Sequence, residues 1–239
     1  MLLALFLIDL AAGLYLFLPL VGRRNAGVKF YRLILIVTGA LMIGAMIVHV
    51  DFHDAILIGL TIIVYVTLRY PKRLIFRIPA ALLALGYIAA PVHAWRAATG
   101  TSWTWSAVGA ISSIALLGSV NLAMLLGHWY LVVRGMSIDP LKRVTHATLA
   151  SAIVRTIVVG TALLIPGVWQ SVAIRQGIFF WMRVGWGLVG PLALYPMVWG
   201  TVKIRSTMAA TGILYVDVVA VVIGEVLGGW LSASAHLPL

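Results

Sequence analysis

Five charged residues lie inside long apolar runs of the sequence, where a charge is costly. A charge near the centre of a bilayer costs at least about 2.5–3.5 kcal/mol on insertion scales, so such residues usually face the protein interior and pair. Two arginines and three acids at similar depths form a natural set of partners. The set comprises Asp9, Arg155, Arg183, Asp217 and Glu225.

The depths of these residues predict two ion pairs. We expect Asp217 to lie opposite Arg155. We expect Glu225 to lie opposite Arg183. In one interpretation the pairs only hold helices together. In the other, the five residues form a proton path or a polar pocket that takes a quinone headgroup or another substrate.

Two histidines occur at the same predicted depth on consecutive segments. His128 ends one apolar run and His146 begins the next. Two facing imidazoles can act as axial ligands of a b-type haem. The alternative is that both rings lie at the membrane interface and bond to headgroups or loop carbonyls.

The stretch HVDFHDA, residues 49 to 55, gathers further polar groups. His49 and His53 are four residues apart and share a helix face if the preceding helix continues through them. With Asp51 they are candidates for a divalent-metal site or a proton-collecting cluster. The alternative is a tight hairpin that needs polar residues.

The composition places these residues in a membrane protein. The chain has 239 residues, of which 63% are hydrophobic and 10% charged, whereas soluble domains carry roughly 25% charged residues. The absence of cysteine excludes disulfides, thiolate metal sites and iron–sulfur clusters. The motifs of metalloproteases, serine hydrolases and P-loop nucleotide-binding proteins are also absent.

Apolar runs long enough to cross a bilayer, about 20 residues each, predict an all-α bundle of about eight transmembrane helices. The third run is short. The loops are short too, so we expect a single transmembrane domain over residues 1–239, with no extramembrane domain. The predicted spans are 2–21, 30–49, 54–69, 76–95, 105–133, 144–168, 177–200 and 208–232.

Basic residues fall on every second connection between these spans. The segments GRRNAGVKFYR, RYPKRLIFR, RGMSIDPLKR and WGTVKIRS hold most of the 17 lysines and arginines. Cytoplasmic loops collect such residues. Both termini are therefore expected on the non-cytoplasmic side, and the formal charge of +11 indicates topology rather than nucleic-acid binding.

A short stretch near the end of the chain resembles a known class of membrane subunit. Eight helices with Gly224, Glu225 and Gly228 in the last one resemble the membrane-anchor subunits of the dimethyl-sulfoxide-reductase type. In that family the anchor exchanges electrons with quinol. The His-Leu-Gly element that the family carries in an early loop is absent here.

These observations favour a multi-pass subunit of an electron-transfer complex in the cell inner (plasma) membrane. It would contribute a quinone or proton pocket or a b-type haem site, or anchor redox partners. Its expected partners are membrane lipids and other subunits of the complex. A small transporter or channel is the alternative, as is an integral membrane enzyme that acts on a lipid.

The alternation of basic connections generates a topology prediction. A reporter fused at Arg73 or Lys142 should read cytoplasmic, because both lie on basic connections. A reporter fused after Leu239 should read external. A cytoplasmic reading at Leu239 would mean that the number of spans is odd.

Overall fold

The computed structural model describes residues 1–71, 73–133 and 135–239. Lys72 and Arg134, which contribute to the predicted charge alternation, lie outside the described residues. Within those three ranges all regular structure is helical, which confirms the predicted all-α fold. The helices are α1 (Leu2–Phe17), α2 (Arg23–Val48), α3 (Phe52–Thr67), α4 (Leu74–Thr99), α5 (Trp103–Val132), α6 (Asp139–Leu163), α7 (Ile178–Val184), α8 (Gly190–Lys203) and α9 (Thr207–Ala235).

In the described residues, seven helical segments are long and apolar enough to cross a membrane. The segment Ile178–Lys203 counts as one of them, because a π-helical turn at Gly185–Val189 joins α7 to α8. Helix α3 is apolar but has only 16 residues, in agreement with the short third span that the sequence predicts. The structure is compatible with a multi-pass membrane protein.

Local sequence explains where several helices end or bend. The Asp51 carboxylate accepts a hydrogen bond from the His53 amide and caps the start of α3. Gly100 ends α4 in the left-handed conformation with φ 68°, which glycine adopts without strain. Gly27 interrupts the first turns of α2 with φ 76°.

Helix α5 is the most buried of the long helices. In its most apolar window 72% of the residues are buried, against 17% for α4. One apolar cluster on its flank includes Phe30, Leu126 and Leu214, and another includes Met42 and Ile114. The polar site described below therefore lies on a central helix with apolar packing towards both of its ends.

The π-helical turn before α8 follows from its proline. Pro191 has no backbone N–H to donate to the preceding turn, and the widened turn Gly185–Val189 lies directly before it. Arg183 occupies the last turn of α7, immediately ahead of this widened turn. Single π-helical turns inside α-helices occur frequently at functional sites.

Helices α1 and α5 cross in close contact at two glycines. A Cβ atom built on Gly13 would lie 2.5 Å from Gly118 Cα, nearer than real Cβ atoms approach. No flexible side chain can move aside there, because the neighbouring atoms belong to the backbone.

We therefore expect Gly118→Ala to destabilise the fold by about 1–3 kcal/mol, the usual cost of overpacking. The measurement is the thermal unfolding midpoint of the purified protein in detergent. Gly160→Ala on α6 is the matched control, because no atom lies within 4 Å of the added Cβ. Equal midpoints for the two variants would contradict the close crossing.

Candidate functional site

The site is centred on a buried ion pair between α6 and α9. Arg155 donates from Nε to Glu225 Oε1 at 3.0 Å and from Nη2 to Oε2 at 2.9 Å. Both side chains are buried, with 0% of Arg155 and 5% of Glu225 exposed. A bidentate pair of this kind combines two charge-assisted hydrogen bonds in a fixed geometry.

A second arginine approaches the same carboxylate. Arg183 Nη2 lies 2.8 Å from Glu225 Oε1, and the Arg183 side chain is fully buried. Within the described part of the chain, however, none of the three Arg183 nitrogens makes a hydrogen bond of acceptable geometry. The contact is therefore a close charge–charge attraction rather than an aligned hydrogen bond.

Glycines give Arg183 the space that it occupies. A Cβ atom on Gly187 would lie 2.5 Å from Arg183 Nη1, and one on Gly228 would lie 2.8 Å from Nε. Gly224 is slightly farther away, with Nη1 at 3.1 Å from its Cβ position. A side chain at any of these positions would displace the guanidinium from Glu225.

A second carboxylate lies beside the ion cluster on α1. Asp9 Oδ2 accepts a hydrogen bond of 2.8 Å from Trp95 Nε1. Asp9 Oδ1 has no hydrogen-bond partner among the described residues. The Trp95 ring also connects Asp9 with the ion cluster, because its centroid lies 5.6 Å from Arg155 Cζ. Ser113 stands next to both Asp9 and Glu225.

Helix α5 and the segment after α9 complete the shell around Arg155. Ser112 Oγ accepts from Arg155 Nη1 at 3.0 Å. The Leu239 carbonyl accepts from Arg155 Nη2 at 3.3 Å, and the Leu239 amide donates to Ser232 Oγ at 2.9 Å. His236 Nδ1 lies 2.5 Å from the Thr99 carbonyl, which fixes the turn into this segment.

A cavity of about 310 Å³ opens next to this cluster between α1 and α9. Its polar lining consists of Asp9, Trp95, Ser113 and Glu225, and the rest is mainly apolar. Several of its apolar lining residues are on the exposed surface of the helices, including Leu3, Val226 and Trp230. The cavity therefore opens at the outer, apolar surface of α1 and α9, which is the surface that contacts lipid in a membrane-embedded bundle.

The structure confirms one predicted ion pair and corrects the other. Glu225 lies against Arg183 as expected, but Asp217 does not pair with Arg155, which is occupied by Glu225. Asp217 is buried, and its Oδ1 has no hydrogen-bond partner in the described ranges. It lies eight residues before Glu225, about 12 Å along the helix axis at 1.5 Å per residue.

The two haem candidates lie on the exposed surface and contact different helices. His146 Nδ1 is 3.1 Å from the Tyr195 hydroxyl, and its ring centroid is 4.3 Å from that of Trp199. His128 Nδ1 is 3.5 Å from the Tyr215 hydroxyl. Tyrosine partners of this kind were not predicted from the sequence, and haem ligation by the two histidines stays a prediction.

The candidate metal residues do not share a helix face. Helix α2 ends at Val48, so His49 is outside it, and His53 belongs to the first turn of α3. Asp51 Oδ1 lies 2.8 Å from His53 Nδ1. The pKa of the Asp51 carboxylate is below its ordinary value, first because of the hydrogen bond from the His53 amide and then because of the His53 ring.

Among residues 1–71, 73–133 and 135–239 no group of three or more His, Asp or Glu side chains is placed to hold a metal ion. The arrangement at His49, Asp51 and His53 is that of a capped helix start.

No protein-family model, curated protein or solved structure matches this chain. The resemblance to anchor subunits therefore depends on Gly224, Glu225 and Gly228 alone.

The shared carboxylate generates a prediction about energetic coupling. Glu225→Gln should lower stability by about 3–5 kcal/mol, because it leaves two buried arginines without their carboxylate. Arg155→Gln should cost less, because Arg183 Nη2 still lies 2.8 Å from Glu225 Oε1. The double variant should lose less than the sum of the two, with a coupling of about 0.5–3 kcal/mol. Denaturant unfolding of the four proteins in detergent measures this cycle.

The matched control is a second double-mutant cycle, in which Asp217, the other buried acid of α9, takes the place of Glu225. Arg155→Gln and Asp217→Asn should be additive within about 0.5 kcal/mol, because the two side chains do not meet. Coupling in the Asp217 cycle and none in the Glu225 cycle would overturn the arrangement described here.

Proposed function

We propose that this protein is an integral membrane subunit of an electron-transfer complex, and that the cavity beside Asp9 binds a quinone headgroup. The observation that carries the proposal is a lipid-facing cavity of about 310 Å³ with Asp9, Trp95, Ser113 and Glu225 as its polar lining. A membrane-soluble ring with two hydrogen-bonding oxygens matches both the entry side and the lining.

Asp9 is the residue of the cavity that is suited to exchange a proton with a bound headgroup. Asp9 is held through Oδ2 by Trp95, which leaves Oδ1 free of partners among the described residues. This oxygen is available to exchange a proton or a hydrogen bond with a bound headgroup. The reduction and oxidation of a quinone couple the transfer of electrons to the transfer of protons. A buried carboxylate with one uncommitted oxygen is suited to the proton part.

Glu225 has a different position in the same site. Its two oxygens already face Arg155 and Arg183, so it stays an anion that fixes the positive charges beside the cavity. The two arginines then give the end of the cavity a positive field, which attracts a ring oxygen that gains electron density.

The exposed surface of α4 is compatible with a place within a larger membrane assembly. Helix α4 exposes most of its most apolar window, of which only 17% is buried. Such a surface contacts lipid or a further subunit. His128 and His146 remain the haem candidates, and a b-type haem bound to the purified protein would be visible as a reduced-minus-oxidised absorption band.

Direct binding of a short-chain benzoquinone to the purified protein tests the proposal. We expect saturable binding at one site by equilibrium dialysis. Gly229→Leu should weaken it at least about tenfold, equivalent to about 1.4 kcal/mol. Gly229 lines the cavity and no atom lies within 4 Å of an added Cβ, so the new side chain fills the cavity without a backbone clash.

Gly212→Leu is the matched control on the same helix, because its added Cβ also meets no atom within 4 Å and it does not line the cavity. Asp9→Asn keeps an oxygen for Trp95 and should weaken binding while the protein still folds. Unchanged affinity in Gly229→Leu, or no saturable binding by the native chain, would reject the proposed site.

A further inference from the structure

A second and larger cleft lies between α3 and α4, away from the ion cluster. It has a volume of about 790 Å³ and mostly apolar walls, among them Leu57, Leu60, Leu82 and Ile88. Its polar residues are gathered at one end, where α3 begins and α4 ends. The length of the cleft below them is apolar and suits a hydrocarbon chain.

Asp54 is a buried carboxylate at this end of the cleft. Only 3% of the residue is exposed, and it lines both the large cleft and a neighbouring cavity of about 210 Å³. The titratable groups near it are Asp51, His49 and His53, and they act on it through charge and not through a hydrogen bond. A buried carboxylate of this kind is stabilised by a cationic group that enters the cleft and donates to it.

A positive group and an aromatic ring lie at the same end. Trp103 lines the cleft, and Arg96 Cζ lies 4.3 Å from the centroid of its ring. His93 also lines the cleft, one helical turn before Arg96, with its ring centroid 5.9 Å from that of His53. The mouth therefore offers a buried negative group and an exposed positive group above an apolar channel.

We propose that this cleft binds an amino phospholipid. The primary ammonium group donates to Asp54, the phosphate faces Arg96, and an acyl chain lies between α3 and α4. The negative Asp54 and the positive Arg96 at the mouth of the cleft complement the ammonium and the phosphate of a zwitterionic headgroup. Hydrogen-bond donation to Asp54 requires a primary ammonium and excludes a quaternary one. The site is independent of the quinone cavity.

Native mass spectrometry of the protein taken from nanodiscs with equal amounts of phosphatidylethanolamine and phosphatidylcholine tests the proposal. We expect about one retained phosphatidylethanolamine, favoured about tenfold over phosphatidylcholine, which corresponds to about 1.4 kcal/mol. Asp54→Asn should abolish the preference between the two lipids. Ala89→Trp should displace the lipid altogether, because Ala89 is exposed and lines the cleft.

Arg175 provides a matched control for Arg96, because both arginines lie on the side of the membrane that is predicted to be external. Arg96→Gln should reduce retention of the lipid, because Arg96 stacks on Trp103 at the mouth of the cleft. Arg175→Gln should not, because Arg175 follows a separate helical segment, Gln170–Ile174, and does not line the cleft. Thermal unfolding of each variant checks that the fold is intact. Equal retention of both lipids by the native chain, or full retention in Asp54→Asn and Ala89→Trp, would overturn the proposal. Loss of quinone binding in Gly229→Leu leaves this result unaffected, so the two sites are tested separately.

Discussion

The rest of the structure depends on one carboxylate that two arginines share. Glu225, Arg155 and Arg183 are all buried, and removing three charges from water costs several kcal/mol per ion even after relaxation. That cost is offset only if the ions are held in close contact and their remaining donors are satisfied. The neighbouring helices meet the first condition for both arginines and the second for Arg155, whereas the Arg183 nitrogens have no hydrogen-bond partner among the described residues.

The close contact between the buried ions requires small residues and hydrogen-bond acceptors around them. Gly187, Gly224 and Gly228 leave the volume that Arg183 fills. On the other side, Ser112 and the Leu239 carbonyl accept from Arg155 donors that Glu225 does not use. Small residues thus bring helices together around Arg183 while polar atoms satisfy the Arg155 guanidinium, as is typical of helix packing in membranes.

The sequence predicted the helices well because their signal is strong. Long apolar runs separated by short polar connections leave few alternatives, and the positions of the spans agree with the helices. The break between α2 and α3 was less evident, although its cause is local: Asp51 caps the start of α3. Its role as an N-cap is what separates His49 from the face that carries His53.

Depth alone could not assign the partners of the buried charges. Asp217 and Glu225 are both inside the last helix, and Asp217 is nearer in predicted depth to Arg155. Glu225 lies eight positions after Asp217, which turns the helix by about 80° beyond two full turns. Only the placement of α6 and α7 around α9 decides which acid Arg155 and Arg183 meet. The bond between Asp9 and Trp95 joins residues 86 positions apart, and nothing in the local sequence indicates it.

Glu225 and Asp9 differ in how many of their carboxylate oxygens have a partner. This difference separates a structural role from a functional one. Glu225 is engaged through both oxygens, so its burial is explained by the arginines alone. Asp9 is engaged through one oxygen, and the second makes no hydrogen bond to the described residues. An uncommitted oxygen in a low-dielectric site is costly unless something binds to it. Because Asp9 also lines a cavity between α1 and α9, the proposed quinone headgroup would enter through that opening and supply the missing partner.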